Sequence, residues 1–490
     1  MYYLRQHKAK VDGDGRGRGH HRPTALNSSS LCKLSFFLLL GFSPCAQGAK
    51  DWESPVSGAW GVGTNWSGGV PPDSTSAVWI TNANTKTVTI DATTPATNLT
   101  ISSLDLGADS GSTNLLWLND AGTNNPLLPL NAFSITNGGA LTMSNSALAI
   151  DPSVLFVHID GTMTVNSGLV TFGDVAPADA SNTPTTTKVG SGPSGTLVVS
   201  GGAVSAGELK VGCDASSALG FMNMSGGTFD ISSMMTLGHD VGTTGIVSVL
   251  GGQVTVTNDE LRVGNMGTGQ MTVSNATLWL ADLAVGHDAG AAGTLTLQPG
   301  ALVLVSSNLS IARLNGSTGT LTLNGGNLQT HNLLLTNTTG QLVFNGGMLT
   351  TSQTVAANGA PFIVGDGVSP AVLHLNGGIH SFANGLVISP NATLSGCGTI
   401  VGALTNHGTI ATNCNVLLQP SITSIKKVGS VGSVWFTTLT GHTYTLLFAT
   451  NLSGANWTPI PPPSNGSGGV MMLNDPAATS PDRFYRILMQ

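Results

Sequence analysis

The chain has 490 residues, of which 65 are glycine and only 8% are Asp, Glu, Lys or Arg, against about 25% in an ordinary soluble domain. From Lys50 onward ten basic residues stand against 22 acidic ones, a net charge of −12. That balance excludes the basic stripe on which nucleic-acid binding rests. No apolar run beyond the N-terminal segment approaches the ~20 residues that span a bilayer, so no transmembrane segment is expected in the mature chain.

Residues 1–49 read as a secretory signal peptide. Arg5, Lys8, Lys10, Arg16, Arg18, Arg22 and Lys33 precede the apolar segment Leu34–Phe42, and small residues follow up to Ala49. This is the charged, apolar and cleavage layout of an export signal, and it predicts an extracellular or outer-surface location. Three cysteines then remain: Cys213, Cys397 and Cys414. An oxidising compartment lets a disulfide persist. Cys397 and Cys414, 17 positions apart, could bridge adjacent turns, whereas Cys213 reads as a small buried hydrophobe.

Residues 50–110 carry Trp52, Trp60, Trp66 and Trp79. A repeat array needs capped ends, so this segment reads as a Trp-rich N-terminal cap; a sugar-stacking platform is the functional alternative. Residues 111–194 read as irregular coils, with a Pro- and Thr-rich surface loop over 173–195.

Residues 195–420 say nearly one phrase repeatedly. It runs Gly195-Thr-Leu-Val-Val-Ser-Gly-Gly202, Gly220-Phe-Met-Asn-Met-Ser-Gly-Gly227 and Gly245-Ile-Val-Ser-Val-Leu-Gly-Gly252, with further copies opening at Gly269, Gly293, Gly319 and Gly340. The period near 25 is that of a solenoid. Alternation places Leu197/Val199, Met222/Met224, Val247/Val249, Met271/Val273, Leu295/Leu297, Leu321/Leu323 and Leu342/Phe344 on one inward column, with Thr, Ser and Asn outward. A second strand recurs in Leu209-Lys-Val-Gly212, Leu261-Arg-Val-Gly264 and Leu283-Ala-Val-Gly286. The predicted fold class is all-β: a parallel β-helix (β-solenoid) of about 25 residues per coil. Residues 421–490 lose the period and read as a small β-sandwich-like module.

Chemistry-bearing residues are sparse. Asp214, Asp240 and Asp288 follow a repeated Gly-x-Asp word, and His239 and His287 fill its middle position. Asp in such a place bonds its own backbone in a turn; the sharper reading is a carboxylate row that binds calcium or sugar. Lys188, Lys210, Arg262 and Arg313 look scattered. No nucleophile elbow, zinc helix or phosphate loop is present, so no catalytic residue, metal ligand or cofactor is assigned.

The phrases Gly319-Thr-Leu-Thr-Leu-Asn-Gly-Gly326, Leu261-Arg-Val-Gly264 and Gly396-Cys-Gly-Thr-Ile-Val-Gly402 resemble the autotransporter-associated β-strand repeats of secreted bacterial passenger proteins. Tyr444-Thr-Leu-Leu-Phe-Ala-Thr-Asn-Leu452 resembles a C-terminal module of secreted bacterial repeat proteins. The resemblance implies a right-handed β-helix exported to the surface and implies no catalytic residue. An autotransporter ends in a membrane barrel, whereas only some 70 residues follow the repeats here, which puts self-translocation in doubt.

Two functions are therefore expected in order. The first is a secreted, non-catalytic β-solenoid acting as a structural or adhesive protein toward extracellular polysaccharide or cell-surface components. The alternative is a carbohydrate-active β-helix enzyme, a polysaccharide lyase or glycosidase, or a carbohydrate-binding protein. Three or more carboxylates gathered in one groove would favour the enzyme.

Overall fold

The computed structural model describes residues 48–173, 184–411, 417–420, 422–438, 442–451, 456–467, 469–479 and 483–489. The expected leader, apart from its last two residues, lies outside them, as do most of the Pro- and Thr-rich segment and Cys414. The protein is all-β, 64% strand and 2% helix, and winds as a parallel β-solenoid of about 14 turns with about 25 residues per turn.

Winding already begins inside the Trp-rich segment. Strand Gly48–Asp51 pairs in parallel with Ser76–Ile80, which pairs in turn with Thr100–Leu106. Trp52, Trp60 and Trp66, all at most 1% exposed, pack in the same core as Val78, Ile80, Val88 and Ile90 of this segment. Trp52 and Trp60 each meet Trp66 edge-on, with ring centroids 5.0 Å apart. Trp66 Nε1 donates to the Trp60 carbonyl at 2.7 Å and Trp60 Nε1 to the Asn98 carbonyl at 2.9 Å, so two of three buried indoles satisfy their polar edge within the fold. Trp79 does not join them. It lies between inward Val78 and Ile80 on its strand, and alternation turns it outward, 40% exposed.

The repeated phrase superposes residue on residue. Gly195, Gly220, Gly245, Gly269, Gly293, Gly319 and Gly340 form one unbroken column of paired positions. Space is the reason: a Cβ on Gly245 would run into the Val211 carbonyl oxygen and Leu237 backbone of the neighbouring strands. Two residues on, the apolar column from Leu197 to Phe344 is buried throughout except at Leu342, which packs partly exposed against it. The second strand contributes Leu209/Val211, Met235/Leu237, Leu261/Val263, Leu283/Val285 and Leu309/Ile311, all at most 1% exposed. Each of these strands ends in a residue with left-handed backbone, Gly212, Gly238, Gly264 and Gly286 in turn; Ala312 takes that conformation at φ 54° in the next coil.

Corner lengths vary where strand registers do not. Val256 pairs with Leu280 and Leu261 with Leu283. Five positions therefore separate the inward residues across one corner and three across the next. The longer corner bulges outward as Thr257, Asn258 and Asp259, all exposed.

The solenoid's last strands, Thr409–Ala411 and Leu417–Gln419, pair with Ala392–Val401. Thereafter pairing becomes antiparallel. Ile422–Val428, Val431–Thr437 and Val470–Asp475 form one sheet, and Thr443–Ala449 lies between Thr458–Asn465 and Phe484–Met489 in another. Both sheets contribute to one small core around Val434, Leu446 and Ile460. Arg483 serves this module from within: its guanidinium meets Asp475 at 2.8 Å and lies 3.8 Å over the Phe448 ring. Arg486 is exposed.

Candidate functional site

The outward positions of the second strand form a column Lys188, Lys210, Thr236, Arg262, Ala284, Ser310. Beside it, at the preceding corner, Glu260 pairs with Asp282. The long corner at Asp259 overhangs the short corner at Asp282, and the step leaves a groove of about 400 Å³ lined by Asp259, Glu260, Arg262, Asp282, Asn308 and Arg313.

Glu260 is the buried centre of the groove, 5% exposed. Arg262 Nε donates to its Oε2 at 2.8 Å, and Arg313 Nη1 donates to its Oε1 at 2.7 Å. Arg262 is further tied to Asn265 Oδ1 at 3.2 Å. His287 Nε2 accepts from Arg313 at 3.2 Å while Nδ1 faces Asp288 Oδ1 at 2.9 Å, a pattern that assigns the Nδ1–H tautomer. Burial, and then the Arg262 charge, hold the His287 imidazole below its ordinary range against the pull of Glu260 and Asp288. The neutral ring thus acts as a spacer between a guanidinium and a carboxylate.

A polar ladder climbs away from the groove on successive coils. Asn308 gives its backbone N–H and its Nδ2 to Asp282 Oδ1, at 2.9 and 2.8 Å, and Asn332 Nδ2 gives to Asn308 Oδ1 at 2.9 Å. Chains of such bonds fix each planar group against its neighbour.

The Gly-x-Asp row is broken. Strand register places Met266 between Asp240 and Asp288. Asp240 Oδ2 accepts the Asp214 backbone N–H at 2.8 Å and faces His239 Nδ1 at 2.9 Å, while Asp214 pairs with Lys188 at 2.7 Å. Burial alone would raise the Asp240 carboxyl, but that N–H and His239 bring it below the usual range. Contrary to the expectation that each would bond its own turn's backbone, Asp240 joins the preceding coil, Asp214 pairs with Lys188 and Asp288 faces His287. His239 and His287 stand two coils apart with Asn265 between them, its Nδ2 donating to the His239 carbonyl at 3.1 Å. Among the described residues no group of three or more His, Cys, Asp or Glu side chains could hold a metal ion, and no helix is long and apolar enough to cross a membrane.

Cys213 is a free, fully buried thiol, and burial pushes it up to about 12. Cys397 is exposed and disulfide-bonded; Cys414, its expected partner, lies outside the described residues. The aromatic platform expected of the N-terminal tryptophans falls away for Trp52, Trp60 and Trp66, whose rings are spent in the core. Outward indoles occur instead at Trp79, Trp117 and Trp279, and a shallow depression of about 790 Å³ surrounds Trp117.

Sequence reading treated Arg262 and Arg313 as scattered and so missed the groove. A signal was present: they are the only arginines between positions 23 and 482, and their separation is close to two 25-residue periods.

No protein-family model, curated protein or solved structure matches this chain. Fold and site together define a parallel β-solenoid repeat protein with a charged groove cut into a wall otherwise lined mostly by uncharged side chains.

Proposed function

We propose that this is a secreted, non-catalytic β-solenoid that acts as an extracellular or cell-surface structural and adhesive protein, in the manner of the passenger repeats it resembles. The observation that carries the reading is the state of Glu260. Both of its oxygens accept guanidinium N–H groups, from two different coils, so the deepest carboxylate of the groove cross-links the wall. Carbohydrate polymer and cell-surface glycans are the partners that an exported, acidic, polar-faced rod would meet. Cell fractionation tests location: the protein is expected in the medium or on the outer surface, and retention in the cytosol would sink the proposal.

A second reading, a polysaccharide lyase or glycosidase, draws support from Asp259, Glu260 and Asp282 lining one groove with two arginines. Three carboxylates in one groove meet the criterion set above for an enzyme. Glycosyl transfer to water needs a carboxylic acid and a second carboxylate on opposite sides of the bond, and Asp259 and Asp282 are the pair that no arginine engages among the described residues. Incubating purified protein with polygalacturonate, alginate, xylan and β-glucan decides between the readings. The scaffold predicts no new reducing or unsaturated ends; cleavage that vanishes in Asp282→Asn would establish the enzyme.

A further inference from the structure

We propose that the Glu260 groove binds a neutral, hydroxyl-rich glycan chain, an inference that rests on the adhesive reading above and names its ligand class. The groove arises where the repeat breaks, at the long corner before Glu260 and the short one before Leu283. Its wall carries planar, bidentate groups: the guanidiniums of Arg262 and Arg313, the carboxylates of Asp259 and Asp282, and the Asn308 amide. All but the exposed Asp259 are already oriented, Arg262 and Arg313 by Glu260, and Asp282 by the Asn308–Asn332 ladder. Binding therefore costs little side-chain ordering.

The unused valences select the ligand. Arg313 spends Nη1 on Glu260 and His287; its side chain, 46% exposed, lines the groove with its other N–H groups left over. Asp282 spends Oδ1 on Asn308, which leaves Oδ2, and exposed Asp259 adds a second carboxylate. Donors and acceptors thus line one groove together. An anion meets Asp259 and Asp282 there, and a cation meets the two arginines. A vicinal diol both donates and accepts, so it satisfies the array without a charge mismatch. A protein partner would need an apolar pocket for an anchoring side chain, but of the apolar lining residues Ile311 and Ala312 are buried and Leu334 alone is half-buried.

The test is affinity electrophoresis of the purified mature protein in gels containing soluble β-glucan, xyloglucan, arabinoxylan or galactomannan, with polygalacturonate and chitosan as charged comparators. Retardation by at least one neutral glycan is expected, with little change between low and high salt. Asp259→Ala and Asp282→Asn are each expected to weaken it by about tenfold, the loss of one charge-assisted hydrogen bond. Trp117→Ala is expected to leave it unchanged. Asp259 has no side-chain partner to lose, so its variant isolates binding from folding; unchanged thermal melting confirms this for both. Retardation by none of the neutral glycans, retardation indifferent to both aspartates, or a preference for a charged polymer would each overturn the proposal. None of these results would move the protein from the cell surface or create polymer cleavage, so the broader function stands or falls separately.

Discussion

Arg313 reaches across 53 positions of sequence to bond Glu260 at 2.7 Å. Arg262, on the same strand as Glu260, holds the other oxygen, so one carboxylate ties its own coil to the coil two turns further on. Removing a buried ion-pair partner leaves uncompensated charge, which costs about 3–5 kcal/mol in a fully buried setting; the half-exposed Arg313 side chain reduces this by solvent screening. Glu260→Ala is expected to lose roughly 2–3 kcal/mol, and Arg313→Ala about 1 kcal/mol. Urea midpoints followed by tryptophan fluorescence would measure both. A Glu260→Ala variant within 0.5 kcal/mol of the parent, roughly the range of a neutral surface change, would show that the clamp is ornamental.

Gly245→Ala tests the glycine column. Its φ does not require glycine; its surroundings do, because the added methyl meets Val211 and Leu237 backbone that cannot yield without opening the coil. A loss of about 3 kcal/mol is expected from this overpacking. Gly469→Ala, where nothing lies within 4 Å and the backbone is not left-handed, should stay within about 0.5 kcal/mol. Equal effects at the two sites would refute the steric account.

Acid should weaken the fold through its histidines. His380 is fully buried, Nε2 facing the Gly377 carbonyl at 2.7 Å and Nδ1 the Thr354 hydroxyl at 3.0 Å. Burial holds it below its ordinary value of about 6.5, as burial does for His158 and His287. The unfolded chain takes up these protons near pH 6.5 while the folded chain resists. Stability is therefore level above about pH 7 and falls as pH drops through 6.5, by up to about 1.4 kcal/mol per pH unit per histidine. Melting temperature measured from pH 7.5 to 5 should show this decline, and His380→Gln should make it shallower. A profile that His380→Gln leaves superimposable on the parent's would count against the buried imidazole.

The thiols should divide by environment. Cys213, buried and pushed up to about 12, is expected to resist alkylation in the native protein at pH 8 and to react only on unfolding, since the thiolate is the nucleophile. A non-reducing peptide map is expected to join Cys397 to Cys414. A free Cys397, or rapid native labelling at Cys213, would contradict the assignment.

How much of this was legible before folding follows from the physics of a coil. Gly195 through Gly340 and the apolar pairs from Leu197/Val199 onward announce themselves because period and alternation are properties of sequence alone. Corner length is not. Whether Glu260 stands over Asp282 depends on how five positions in one corner and three in the next are absorbed, and no local propensity encodes that sum. The two-repeat gap between the His239 and His287 copies of the Gly-x-Asp word is legible in the spacing, and the register fills it with Met266. Tryptophan composition was blind to direction: Trp66 and Trp79 share a segment, but a turn points one inward and strand alternation points the other out.

The strict superposition of Gly195, Gly220 and Gly245 makes length itself a discrete variable in this protein. Excising residues 220–244 would join Leu219 to Gly245 and seat Gly245 directly on Gly195, because Leu219 already occupies the register of Thr244. Stability in such stacks is approximately a sum of neighbour terms, so a chain one coil shorter should keep its strand content and melt at a modestly lower temperature. Duplicating the same segment should do the reverse. A lineage carrying this architecture can thus lengthen or shorten its solenoid by unequal recombination between repeats, without redesigning a core.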